Sequence, residues 1–162
     1  MNITTSDILL LAHATLGVLG TLSAVWVFVE ALDAREENAA RTRRAAAAVA
    51  VFMAAAWIAG GYWYLHFYPA ERALILKGPW PFAHLIFMET KEHLFLATLI
   101  LALYLPIAAG ESLYRNAAAR RMVLSVAMLI VLTGLAIEGA GAIVDHGVKV
   151  ALLRPAAPGG AK

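Results

Sequence analysis

The chain has no cysteine and few charged residues. The absence of cysteine excludes disulfide scaffolds, zinc–thiolate centres, iron–sulfur clusters and thiol catalysis. Charged residues make up only 15% of the 162 residues, whereas hydrophobic residues make up 62% and the mean hydropathy is +0.74. Soluble domains contain roughly 25% charged and roughly 45–50% apolar residues. The composition therefore predicts an integral membrane protein, with the lipid bilayer as its first partner.

The sequence also lacks the motifs of soluble chemistry. It contains no glycine-rich phosphate loop, no convincing pair of nucleophile and base, and no basic stripe interleaved with aromatic residues. The net charge of +2 arises from 13 Lys and Arg against 11 Asp and Glu, an excess too small to indicate a nucleic-acid partner.

Four apolar stretches are long enough to cross a bilayer, which takes about 20 residues per helix. They run from Ile8 to Val29, from Ala45 to Tyr68, from about Phe82 to Ala109 and from Met122 to Val144. The third stretch must include charged residues, because its part without charges, Leu94 to Ala109, is too short to span the bilayer. Pro81 suits the first turn of that helix, and we expect Pro106 to kink its far end.

Short connections join these stretches, at Asp33–Arg44, Pro69–Pro81 and Gly110–Arg121. They predict an all-α, up-down-up-down four-helix bundle in one domain over residues 1–152, with a flexible tail over residues 153–162. Within the second connection, residues 70–76 are expected to form a short interfacial helix. The first and third connections carry seven Arg and the opposite side carries five Lys or Arg, which places both termini on the outer side of the cytoplasmic (inner) membrane.

All five histidines fall in the outer half of this bundle. His66 and His146 end the second and fourth stretches, His84 opens the third, and His13 and His93 lie deeper. Gly17 and Gly20 share the helix face of His13, which predicts a flat hollow beside its ring.

Carboxylates follow the histidines into the outer half. Glu89, Glu92 and Glu138 fall at the level of His13 and His93, with Lys91 among them. A Glu or Lys at a helix centre costs about 2.5–3.5 kcal/mol to insert, so these groups require partners, protonation or a bound ion. Helical periodicity puts Glu89 and His93 on one face with Glu92 beside them, and His84 with Lys91 on the opposite face. One face can point into the bundle, and the other must meet a second helix, the interface or another subunit.

The first interpretation of this polar layer is a haem b site. His13 and His93 would be axial ligands from diagonally opposed helices, and His66 with His146 could hold a second haem. The function would then be electron transport in a membrane redox chain, with other subunits of a redox complex as partners. In architecture alone, four spans with histidine on several, the chain is similar to small membrane b-type cytochromes.

Two further interpretations stay open. One is a non-haem site for Fe, Cu, Mn or Zn, either in the shallow layer from His66, Asp145 and His146 or from a deeper set of ligands. The deeper set comprises Glu89, Glu92, His93, Glu138 and His13, although the Glu-x-x-His spacing of di-iron bundles is absent. The other has no cofactor and uses the layer for ion pairs or as a proton or ion path, with Lys91 pairing with Glu138 or Asp145. Of the three interpretations, only this one explains Lys91.

Overall fold

The computed structural model describes residues 4–153, and these residues form helices without any strand. The helices are α1 (Thr5–Leu32), α2 (Ala39–His66), α3 (Tyr68–Lys77), a π-helical segment (Ala83–Met88), α4 (Glu89–Ala108) and α5 (Ala117–Leu153). Four continuous helices are long and apolar enough to cross a membrane: α1, α2, the π segment joined to α4, and α5. The prediction of an all-α protein with four membrane-spanning helices is confirmed.

The helix ends differ from those expected. Helix α2 begins at Ala39 rather than Ala45, and α5 runs from Ala117 to Leu153, well beyond both ends of the apolar stretch. Hydropathy marks only the apolar part of a helix, whereas Ala and Arg favour helix also outside the membrane. The expected short helix of residues 70–76 lies within α3, which takes Tyr68 from the second stretch. Residues 154–162 of the expected tail lie outside the described residues.

Each spanning helix packs against two others. Helices α1 and α4 both lie beside α2 and α5. Between α1 and α2, Glu30 pairs with Arg41 at 3.0 Å, while at the other end Trp63 Nε1 donates to Ser6 Oγ at 2.9 Å. Residue numbers thus rise along α1 as they fall along α2, as expected for antiparallel neighbours. The up-down-up-down order across a membrane, the single domain and the outer location of both termini stay predictions.

The buried core is divided into two apolar clusters. The larger cluster fills the end of the bundle away from α3, and includes Ala24, Val27, Val49, Ala102, Leu105 and Ile130. The smaller one lies at the α3 end and contains the aromatic rings of Trp63 and Tyr68 with Ile75, Ala83, Met88 and Val144. Along their helices, Lys91 of α4 and Glu138 of α5 lie between residues of these two clusters.

Candidate functional site

The π segment changes the register of the third spanning helix. The backbone N–H of Glu89 donates to the carbonyl of His84, five residues earlier, as in a π-helix. The wider turn brings His84 Nε2 to 3.7 Å from Glu89 Oε1. The prediction that His84 and Glu89 lie on opposite faces is therefore wrong, because it assumed a regular α-helix throughout.

Lys91 points from α4 toward α5. One glycine of α5 and one glycine of α1 make room for charged groups. A Cβ at Gly141 of α5 would lie 3.2 Å from Lys91 Nζ, and a Cβ at Gly17 of α1 would lie 2.9 Å from Glu138 Oε1. The charges of Glu138 and Glu92 act on Lys91, and the charge of Lys91 acts on His13. One lysine, two carboxylates and one imidazole therefore share a single electrostatic neighbourhood inside the bundle.

The charged groups of this neighbourhood are incompletely paired. Among residues 4–153, no carboxylate oxygen lies within 4.0 Å of Lys91 Nζ, and Asp145 pairs instead with Lys149 at 2.5 Å. Glu92 Oε1 is buried and has no hydrogen-bond partner in the part of the chain described. Leaving a buried polar atom unsatisfied costs about 1–3 kcal/mol, and more for a charged group. The site is therefore suited to receive a hydrogen-bond donor.

A cavity of about 210 Å³, here named the Glu92 cavity, lies beside these groups between α1, α2 and α4. Its polar wall consists of His13, Tyr64, Lys91 and Glu92, and the other walls are Leu10, Trp57, Gly60, Gly61, Trp63, Met88 and Phe95. Leu10 and Trp57 are 40% and 50% exposed, so the cavity borders the surface that would face lipid. Sites for drug-sized ligands measure about 300–1,000 Å³, so this one suits a single ring or a few water molecules.

His13 is held against α2 by a backbone hydrogen bond. Its Nδ1 donates to the carbonyl of Ala56 at 2.9 Å, which leaves Nε2 as the nitrogen free to accept a proton or bind a metal. The hollow for its ring is provided by Gly60, where a Cβ would lie 2.7 Å from His13 Cε1. The expectation that Gly17 and Gly20 provide this hollow is wrong, because they face Glu138 and Met53 on neighbouring helices.

The other predicted haem ligands lie on exposed faces. His93 and His66 each bond through Nδ1 to the carbonyl four residues earlier, Glu89 and Tyr62, at 2.7 and 2.9 Å. His146 packs on Trp80 with ring centroids 4.8 Å apart. His93 and Glu89 thus lie on an exposed face of α4, for which contact with another subunit is one of the predictions above. His13, in contrast, lines the Glu92 cavity. The two haem pairs stay predictions.

The predicted non-haem ligand set is divided between two places. Glu92, Glu138 and His13 surround Lys91, whereas Glu89 and His93 are exposed. Within residues 4–153, no three His, Asp or Glu side chains form a group that could hold a metal ion. The identity of any bound metal stays a prediction.

Tyr64, Tyr68 and His84 were not among the predicted site residues. The Tyr68 hydroxyl and His84 Nδ1 form a hydrogen bond of 3.0 Å, and both residues are only 1% exposed. Burial raises the pKa of Tyr68 well above its usual range, so this hydroxyl keeps its proton. Aromatic residues near Pro69 are typical of an interfacial belt, and no local signal distinguishes an anchoring tyrosine from a buried one.

No family model, curated protein or solved structure matches this chain. The chemistry of its own interior residues therefore carries the functional conclusion. Three features are the basis for it: a cavity at the lipid-facing surface, an unsatisfied carboxylate in its wall and an ammonium group beside that carboxylate.

Proposed function

We propose that the protein binds the ring headgroup of a lipid-soluble quinone or quinol in the Glu92 cavity and exchanges protons with it. The supporting observation is Glu92 itself, which lines the cavity with Oε1 buried and without a partner. A hydroxyl group donated to this oxygen would offset the free-energy cost of its burial. Proton exchange follows, because a hydrogen-bonded hydroxyl and carboxylate share a transferable proton.

The remaining walls of the cavity complement such a ring. Trp57, Trp63 and Phe95 offer apolar and aromatic surface for its faces and edges. Lys91 supplies a donor for a quinone carbonyl, and Glu92 supplies an acceptor for a quinol hydroxyl. A single site can thus bind the ring both in its oxidised form, as a quinone, and in its reduced form, as a quinol.

The location of the polar groups favours a binding site in one leaflet over a channel across the bilayer. The end of the bundle away from α3 is filled by side chains that are fully buried, among them Ala24, Val49, Ala102 and Leu105. Among the described residues of that half, the buried polar side chains are those of Thr21, Asn38, Thr42 and Thr98, none of which is ionisable. A ligand that diffuses within the bilayer can reach the cavity past Leu10 and Trp57, which are exposed on its lipid side.

Equilibrium binding of a radiolabelled short-chain quinol, kept reduced under anaerobic conditions, to the protein in nanodiscs, with empty nanodiscs subtracted, tests this proposal. Glu92→Leu should weaken binding at least about tenfold, since a hydrogen bond to a charged group contributes roughly 1.5–3 kcal/mol. Glu89→Leu is the matched control, because Glu89 lies one turn earlier on the exposed face and should leave the affinity unchanged. Non-saturable binding, or wild-type affinity in Glu92→Leu, would contradict the proposal.

A haem b bound through His13 is a second candidate, favoured by the hydrogen bond from its Nδ1 to Ala56, which leaves Nε2 free to coordinate iron. A macrocycle exceeds the present cavity, so this candidate requires α1 and α2 to separate. The purified protein should then show a reduced-minus-oxidised α-band that disappears in His13→Ala. A colourless protein would eliminate haem, and metal analysis of the same sample would test a non-haem ion.

A further inference from the structure

Tyr64 separates the Glu92 cavity from a second cavity of about 380 Å³ between the end of α2 and α3, here named the α3 cavity. Its side chain belongs to the walls of both. The other residues that line the α3 cavity are mostly exposed, and they include Leu65 and the charged Arg72. The α3 cavity therefore opens to the surface at this end of the molecule, whereas the Glu92 cavity contains the buried carboxylate.

We propose that the Tyr64 hydroxyl passes protons between the α3 cavity and Glu92, and that Tyr68 and His84 hold it in position. This inference rests on the proposed function, because it supplies the protons that the ligand and Glu92 exchange. A tyrosine hydroxyl can donate one hydrogen bond while it accepts another, which a proton relay requires.

The transfer moves protons only, and no group is oxidised or reduced. The O–H bond of Tyr64 breaks as its proton moves to the Glu92 carboxylate, and a new O–H bond forms as the Tyr64 oxygen takes a proton from a hydronium ion in the α3 cavity, which becomes water. The reverse sequence releases a proton from Glu92 to the α3 cavity. Tyr64 is neutral before and after each transfer.

The position of Tyr64 is fixed by a buried stack. Its ring lies on that of Tyr68, with centroids 5.1 Å apart and planes inclined by 21°. The Tyr68 hydroxyl is in turn bonded to His84 Nδ1 at 3.0 Å, and His84 faces Glu89 through its other nitrogen. Tyr68 and His84 are thus positioning residues that restrict the rotation of Tyr64 without contacting the ligand.

Charged side chains lie near Tyr64 on both α3 and α4. The charges of Glu92 and Glu89 of α4 and of Arg72 of α3 act on Tyr64, on which Tyr68 stacks. Arg72 lines the α3 cavity, whereas both Lys91 and Glu92 line the Glu92 cavity. Among the described residues, Glu92 is the only carboxylate in the lining of either cavity, so it is the acceptor for a proton that enters through the α3 cavity.

The experiment follows Glu92 protonation in the full chain in nanodiscs by time-resolved infrared spectroscopy after a downward pH jump. The carboxylic acid band that is absent from Glu92→Gln reports on this residue. Tyr64→Phe, which keeps the stacked ring, should slow the appearance of the band by roughly tenfold or more, since general acid–base groups contribute such factors. Tyr62→Phe is the matched control, because Tyr62 is exposed, stacks on His66 and lines neither cavity.

Variants of the positioning residues separate a relay from a merely structural role. Tyr68→Phe removes the hydroxyl that bonds His84, and it should slow the same band while quinone affinity stays unchanged. A wild-type rate in Tyr64→Phe would overturn the route but leave quinone binding intact. Absence of any titrating band from Glu92 would overturn both the route and the proposed proton exchange.

Discussion

Replacing Gly60 by alanine tests whether the close approach of α1 and α2 positions His13. The added Cβ would lie 2.7 Å from His13 Cε1 and 3.0 Å from Cγ, and nearer still to Nδ1. Real Cβ atoms essentially never come within 3.0 Å of such neighbours, so either the ring moves or the helices separate. Because Nδ1 is bonded to the Ala56 carbonyl, movement of the ring breaks that hydrogen bond.

The expected loss of stability follows from three contributions. Overpacking a filled interior costs typically about 1–3 kcal/mol. Loss of the bond between His13 and Ala56 costs about 0.5–1.5 kcal/mol. Alanine restores about 1 kcal/mol through its higher helix propensity. We therefore expect Gly60→Ala to lower the free energy of unfolding by roughly 1–3 kcal/mol.

The next residue provides the matched control, since a Cβ at Gly61 would meet nothing within 4 Å. Gly61→Ala should gain the propensity contribution alone, about 1 kcal/mol. Both variants can be compared by reversible unfolding in mixed micelles. Equal stability of the two variants would refute the placement of His13 against Gly60.

Three further changes probe the interior charges and α3. Lys91→Met should destabilise the fold by roughly 1–3 kcal/mol, because it removes the positive charge that acts on the half-buried Glu138 and Glu92 without breaking a direct ion pair; failure of a second change, Glu138→Gln, to restore part of this loss would contradict their coupling. Gly17→Ala, whose Cβ would meet the flexible end of Glu138 at 2.9 Å from Oε1, should displace that carboxylate and destabilise the protein by less than Gly60→Ala, in which the close contact is with the ring of His13, whereas Gly139→Ala, with nothing within 4 Å, should not destabilise it. Burial, and then a neighbouring carboxylate, raises the pKa of Glu71 above its usual 4.5. The folded state thus retains a proton that the unfolded chain loses, so stability should fall as the pH rises from 4.5 through the folded pKa. Glu71→Gln should abolish this fall in unfolding curves recorded across that range, and an unchanged slope would contradict the burial of Glu71.

The four spanning helices were predictable because hydropathy depends on composition alone. Even the third was assigned correctly, although Glu89, Lys91 and Glu92 interrupt it, since the remaining apolar run was too short to span. The ends of α2 and α5 were not predictable in this way. Their extensions, beginning at Ala39 and Ala117, are helical for reasons of propensity and packing that a hydropathy pattern does not include.

The arrangement of the site was only partly predictable. The sequence indicates that Lys91, Glu92 and Glu138 share a level with His13, because that follows from helix rise. It does not indicate the π segment, which rotates the residues around Glu89 relative to a regular helix. It also does not show which helix lies opposite each glycine, because that depends on tertiary packing.

The apolar half of the bundle constrains what the polar half can do. Just below the charged groups, the hydroxyls of Thr98 and Thr133 lie 2.8 Å apart, and each lies 2.8 Å from the carbonyl four residues earlier in its own helix. The hydrogen of each hydroxyl is thus donated locally, and the fully buried Leu105 and Ile130 lie in the core cluster beyond them. Under the proposed function, a proton on Glu92 leaves either past Tyr64 or on a ligand that returns to the bilayer. The packed apolar core favours such an exchange site in one leaflet over a conducting path through the monomer.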